Sequence, residues 1–115
     1  MSKEVFTKAE ELGKSIVASE EFKEVQKREK DLMGDPSAQA LLKKFHELQK
    51  LQKEKQKNGK SLSKEEAREF EQVQLQIMEN KTIKSFSEAQ EKFQHMMNKT
   101  MDIIRKSSAA NIAEE

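Results

Sequence analysis

The sequence predicts an all-α fold: an antiparallel helical bundle of four to five long helices, expected to be oligomeric. Apolar residues recur at helical spacing through most of the length, and no stretch alternates as a strand would. Lys and Glu of both signs stand at helical neighbour spacing; 37% of residues are charged, yet the formal net charge is +1. Mean hydropathy is −0.96, so the core must be thin. At 115 residues the length is that of one domain, expected over residues 1–106, with 107–115 as a disordered C-terminal tail.

The first element carries Val5, Ala9, Leu12 and Ile16 on one face, with Phe6 and Val17 beside it. Ser19, followed by Glu20 and Glu21, reads as a helix start with acids favourably placed for the dipole. Phe22, Val25 and Leu32 continue an apolar stripe to about Met33. Two helices or one bent helix would both fit this stretch.

Gly34-Asp35-Pro36 is the clearest break. Gly34 is expected to end a helix in the left-handed conformation. Asp35 is suited to cap the next helix and Pro36 to its first turn. Ala38, Leu41, Leu42, Phe45, Leu48 and Leu51 then form a strong stripe. This helix should end near Lys57 after roughly 20 residues, about 30 Å.

Asn58-Gly59 signals a stop, and Ser63 with Glu66 forms a capping-box pattern. Ala67, Phe70, Val73 and Ile77 follow on one face. The short connection predicts an antiparallel hairpin. The stripe loses phase near Asn80, where Asn80 or Thr82 could cap a last helix. Ile83, Phe86, Ala89, Phe93, Met96, Met97, Met101 and Ile104 give that helix the longest apolar surface in the chain.

Reactive chemistry is scarce. There is no Cys, Trp or Tyr, and there are two His. Absent cysteines exclude disulfides, thiol catalysis and cysteine-held metal. His46 and His95 lack a second His at helical spacing, and both read as structural. Gly13, Gly34 and Gly59 are isolated and build no phosphate loop. Glu65, Glu66, Glu69 and Glu71 sit among lysines and read as a solvated face. No catalytic residue, cofactor or metal is expected, and the chain is read as no enzyme. With no apolar run long enough for a signal peptide or a membrane span, its expected place is the cytoplasm.

Two surfaces are candidates for contact. Lys50, Lys53, Lys55, Lys57, Lys60 and Lys64 crowd the hairpin tip and are opposed within it only by Glu54. Such a cluster could neutralise RNA phosphates or an acidic partner. No aromatic residue interleaves for base stacking, so a solvated tip outweighs RNA contact. The last helix sets Met96, Met97 and Met101 beside Phe86 and Phe93, and Met-rich faces adapt to partners. Phe86, Phe93, Met97 and Ile104 are the expected self-association surface, because a dimer buries what one thin core cannot.

The segments ASEEF at 18–22, GDPSAQALLKKFHELQ at 34–49 and ENKTIKSFSEAQEKFQHMM at 79–97 also carry a resemblance. Together with the Gly59 hairpin they resemble the YlbF/YmcA/YheA family of small helical bacterial proteins, over roughly residues 3–105. Asp35-Pro36, Phe45, Ile83, Phe86 and Ala89 carry most of it. One departure is Lys81, where family members often have Pro. The resemblance implies a helical bundle, often dimeric or higher, with a regulatory role and no catalysis. It implies a protein partner, a ribonuclease complex of the RNase Y kind, and through it effects on mRNA processing, competence, sporulation and biofilm formation. Complexes of that kind have been linked to iron–sulfur clusters held by cysteines, which this chain cannot supply. The rival reading is an RNA-associated protein that uses the lysine tip.

Overall fold

The computed structural model describes the backbone of residues 2–114 and the side chains of residues 2–109. The described residues form five α-helices in the order α1 (Lys3–Ala18), α2 (Glu20–Met33), α3 (Pro36–Lys57), α4 (Lys64–Glu79) and α5 (Lys81–Glu114). No strand occurs among the described residues.

Side-chain caps set most of the boundaries. Ser19 separates α1 from α2: its backbone is extended, with ψ 153°. Its Oγ accepts the Phe22 amide at 3.1 Å and donates to the Ile16 carbonyl at 2.6 Å. Asp35 caps α3 by accepting the Ala38 amide at 3.2 Å, and Pro36 stands where a missing amide costs nothing. The Ser63–Glu66 capping box is complete at the start of α4. Asn80 ends α4 and starts α5, its side chain accepting the Ile83 amide at 3.0 Å. The asparagine cap ends one helix and starts the next with Lys81 as the first residue of α5.

One expectation is corrected. Gly34 is not left-handed; among the described residues the one positive-φ glycine is Gly59, at 70°. After Gly34 the Asp35 amide closes onto the Leu32 carbonyl at 3.1 Å, and the chain goes straight into the extended Asp35 cap. The left-handed residue is needed instead after α3. There the Lys60 amide reaches the Lys55 carbonyl at 2.8 Å and the Gly59 amide reaches Gln56 at 3.1 Å, a Schellman arrangement. At the C-terminus the helical backbone of α5 runs on through Ser107 and Ser108, and Glu115 lies outside the described residues.

The contacts divide the chain into two compact units. One is Arg28–Phe86, the other Met1–Lys27 with Ser87–Glu115. In the first, α3 and α4 form an antiparallel hairpin. Phe45 packs on Phe70 with ring centroids 5.4 Å apart, and Lys44 pairs with Glu69 at 2.6 Å. Leu32, Ala38 and Ile83 form its core, with Leu41, Leu42, Ile77 and Phe86 packed against them. Ala38 is fully buried, so the approach there admits only a small side chain. Asp35 adds a polar tie: the Thr82 hydroxyl, then the Ala38 amide, hold its carboxyl below the usual carboxylate range.

The other unit is less well covered. Phe22 meets Phe93 edge to face, with centroids 5.8 Å apart. Helix α1 has no buried residue at all.

Candidate interaction surfaces

The lysine tip is exposed as expected at Lys50, Lys53, Lys57 and Lys60. Lys55 departs from the set. It is half-buried, and its Nζ pairs with Glu66 Oε1 at 2.5 Å. That same oxygen accepts the Ser63 amide at 2.9 Å. The Lys55 hydrogen bond, then the Ser63 amide, lower the Glu66 pKa to about 2. Lys55 thus closes the hairpin, and a contact surface at the tip rests on its exposed neighbours. The sequence offered Glu54 as the opposing charge; the hairpin turn brings Glu66 instead.

The four residues expected to mediate self-association stand in different surroundings. Phe86 is half-buried against the Leu32–Ala38–Ile83 core. Phe93 is half-buried and meets Phe22. Met97 is half-buried, whereas Ile104 is 44% exposed. Met101 and Ile103, in the last turns with described side chains, are exposed as well. The apolar stripe of α5 is thus engaged within the chain at its aromatic positions and open towards its C-terminal half.

Helix α1 carries an open apolar surface that sequence reasoning assigned to the fold. On α1, Val5 is 65% exposed, Phe6 64% and Val17 55%, and Leu12 is also exposed. Amphipathic spacing reveals such a stripe, but carries no signal that its own chain leaves it open. A second missed patch lies on the α3–α4 hairpin, where Leu75 and Met78 are exposed. Beside it Leu42, Phe45, Gln74, Ile77 and Met78 line a shallow groove of about 430 Å³.

His95 lines an open groove of about 700 Å³ with Glu20, Glu21, Glu24, Glu91 and Lys92. Among the described residues, no group of three or more His, Cys, Asp or Glu is placed to hold a metal ion. His46 lies beside the Phe45 ring, 6.1 Å between centroids. No described helix is long and apolar enough to cross a membrane.

Solved structures share this helical arrangement. A chain of the Bacillus subtilis structure of RicA in complex with RicF matches at TM-score 0.87 with 18% identity, covering 97% of this chain and 99% of that one. A Bacillus stearothermophilus protein of unknown function, assigned to DUF964, matches at TM-score 0.67 with 19% identity, over 89% of this chain and 90% of that one. Among sequence relatives, a UPF0342 protein of Halalkalibacterium halodurans is 30% identical, over 76% of each chain. A UPF0342 protein of Oceanobacillus iheyensis is 26% identical, over 85% of this chain and 84% of its own length. The family described as control of competence regulator ComK, YlbF/YmcA, matches residues 5–107. That match spans nearly the whole helical array, and the chain belongs to the YlbF/YmcA family.

Proposed function

We propose that this chain is a non-enzymatic, cytoplasmic helical adaptor that self-associates and binds a regulatory protein partner. The observation that carries the reading is the amount of apolar helix surface left open, above all on α1 and the C-terminal half of α5. Exposed apolar faces of this extent are characteristic of protein–protein contact. The family description, control of a competence regulator, supports a regulatory role, and the RicA–RicF complex is a precedent for partner binding on this fold. The partner proposed is a ribonuclease complex of the RNase Y kind, with effects on mRNA processing and through it on competence, sporulation or biofilm formation.

The test is affinity capture of the tagged chain from its native lysate, with and without nuclease, read by mass spectrometry. A ribonuclease and family relatives retained after nuclease are the expected result. Loss of every partner on nuclease treatment would replace this reading with RNA association through Lys50, Lys53, Lys57 and Lys60.

A further inference from the structure

We propose that the open face of α1 is a self-complementary interface that pairs antiparallel with α1 of a second copy of this chain. The proposal deepens the self-association in the reading above and rests on it. It moves the centre of contact from Phe86 and Phe93 to the N-terminal helix.

Three observations point there. First, α1 is a 16-residue helix with no buried residue. A helix this short is marginal in water unless its apolar face is covered. Here Val5, Phe6, Ala9, Leu12 and Val17 are exposed, and Ile16 is half-buried.

Second, the stripe is symmetric along the helix. Val5, Ala9, Leu12 and Ile16 follow one another at steps of four, three and four. Turning the helix end over end about a point between Glu10 and Glu11 therefore lays the stripe on itself. Val5 then faces the second copy's Ile16, and Ala9 faces its Leu12. The Ala9–Leu12 pair sets a small residue against a large one, as interdigitating helices require, and Val5 with Ile16 pairs two branched side chains at each end. Phe6 and Val17 lie on one shoulder at opposite ends, so the same rotation brings each near the other. An isologous two-fold contact demands this self-complementarity, which a chance partner would not.

Third, the charge on α1 is balanced. Lys3, Lys8 and Lys14 stand against Glu4, Glu10 and Glu11. Two copies are not driven apart by net charge, and a strongly acidic or basic partner gains no attraction from this helix.

The cysteine-free chain allows a direct test. Single variants Val5→Cys, Ile16→Cys, Ala9→Cys and Leu12→Cys are mixed in pairs and mildly oxidised. Glu11→Cys, level with the two-fold axis but on the opposite face, is the control. Disulfides between Val5→Cys and Ile16→Cys, and between Ala9→Cys and Leu12→Cys, are expected. Val5→Cys with itself should not link, because antiparallel pairing sets those positions at opposite ends, beyond disulfide reach. Efficient Val5–Val5 linkage, or linkage no better than the control, overturns the proposal. Light scattering supplies the second readout. Leu12→Glu should reduce the mass from twice the 13.3 kDa of one chain to a single chain, with helicity retained by circular dichroism. A wild-type chain monomeric at all concentrations overturns this interface and the self-association of the proposed function together. A wild-type dimer that survives Leu12→Glu and gives no Val5–Ile16 link overturns the α1 face alone.

Discussion

Lys55 and Glu66 join the two arms of the α3–α4 hairpin through a single carboxylate oxygen that the Ser63 amide also occupies. One side chain thus closes the turn and completes the cap of α4. Its pKa is lowered from an ordinary 4.5 to about 2, first by Lys55 and then by the Ser63 amide. A carboxylate depressed in the folded state stabilises above its unfolded value and loses that contribution as pH falls through the folded value. Hairpin stability should therefore decline between about pH 4.5 and about pH 2. Glu66→Gln should remove that part of the acid transition, as seen in thermal melts across the window. An unchanged acid limb in the variant would mean that the bond does not persist in solution.

Phe22 and Phe93 meet edge to face at 5.8 Å, so their energies should be coupled. In a double-mutant cycle with Phe22→Leu and Phe93→Leu, the coupling should be about 0.5–1.5 kcal/mol. Strict additivity in urea denaturation would exclude a direct ring contact. The same packing implies that Phe93→Glu reduces stability as well as any association.

The Leu32–Ala38–Ile83 core makes opposite demands at two positions. Ile83 is 8% exposed, and Ile83→Ala should cost about 2–5 kcal/mol through lost contacts and a cavity. Ala38 is fully buried, and Ala38→Leu should cost about 1–3 kcal/mol through overpacking. Chemical denaturation measures both. A neutral Ala38→Leu would show that the α3 start does not pack as closely as described.

Gly13 lies mid-helix in α1, and a Cβ built there meets nothing within 4 Å. Within one chain, Gly13→Ala should stabilise the helix by about 0.8–1 kcal/mol. Thermal melts at low protein concentration isolate that effect. Reduced stability at high concentration only would mark Gly13 as a point where a second chain comes close.

The lysines of the tip should separate into two classes. Lys53→Glu, Lys57→Glu and Lys60→Glu are exposed substitutions and should each change stability by no more than about 0.5 kcal/mol. Lys55→Glu should destabilise the hairpin, because it sets two carboxylates where an ion pair stood. Equal melting temperatures for all four variants would contradict the special role of Lys55.

Helix identity and most helix ends were legible in the residues because they depend on neighbours one turn apart. Ser19, Asp35, Ser63 and Asn80 each cap through an oxygen reaching an amide three residues on. The Lys57 end of α3 needed only Asn58 and Gly59. Gly34 was misread because composition cannot tell a left-handed stop from a direct passage into the next cap. That choice was made by the Asp35 amide closing onto Leu32.

The candidate surfaces were less legible. The apolar stripes of α1 and α5 look alike at the level of spacing, and periodicity reports which residues share a face without naming what covers it. Packing brought Phe93 to Phe22 and Phe86 to the Ile83 core, and it left Val5, Phe6 and Val17 open. It also took Lys55 out of the basic tip by bringing Glu66 to it from eleven residues away. Local chain chemistry was thus enough to specify an all-helical chain of four to five helices and most of their ends, while the choice between one bent helix and two over the first 33 residues stayed open. Which apolar faces and charges remain available for function depended on contacts between distant residues, because burial and ion pairing belong to the packed array and not to any one helix.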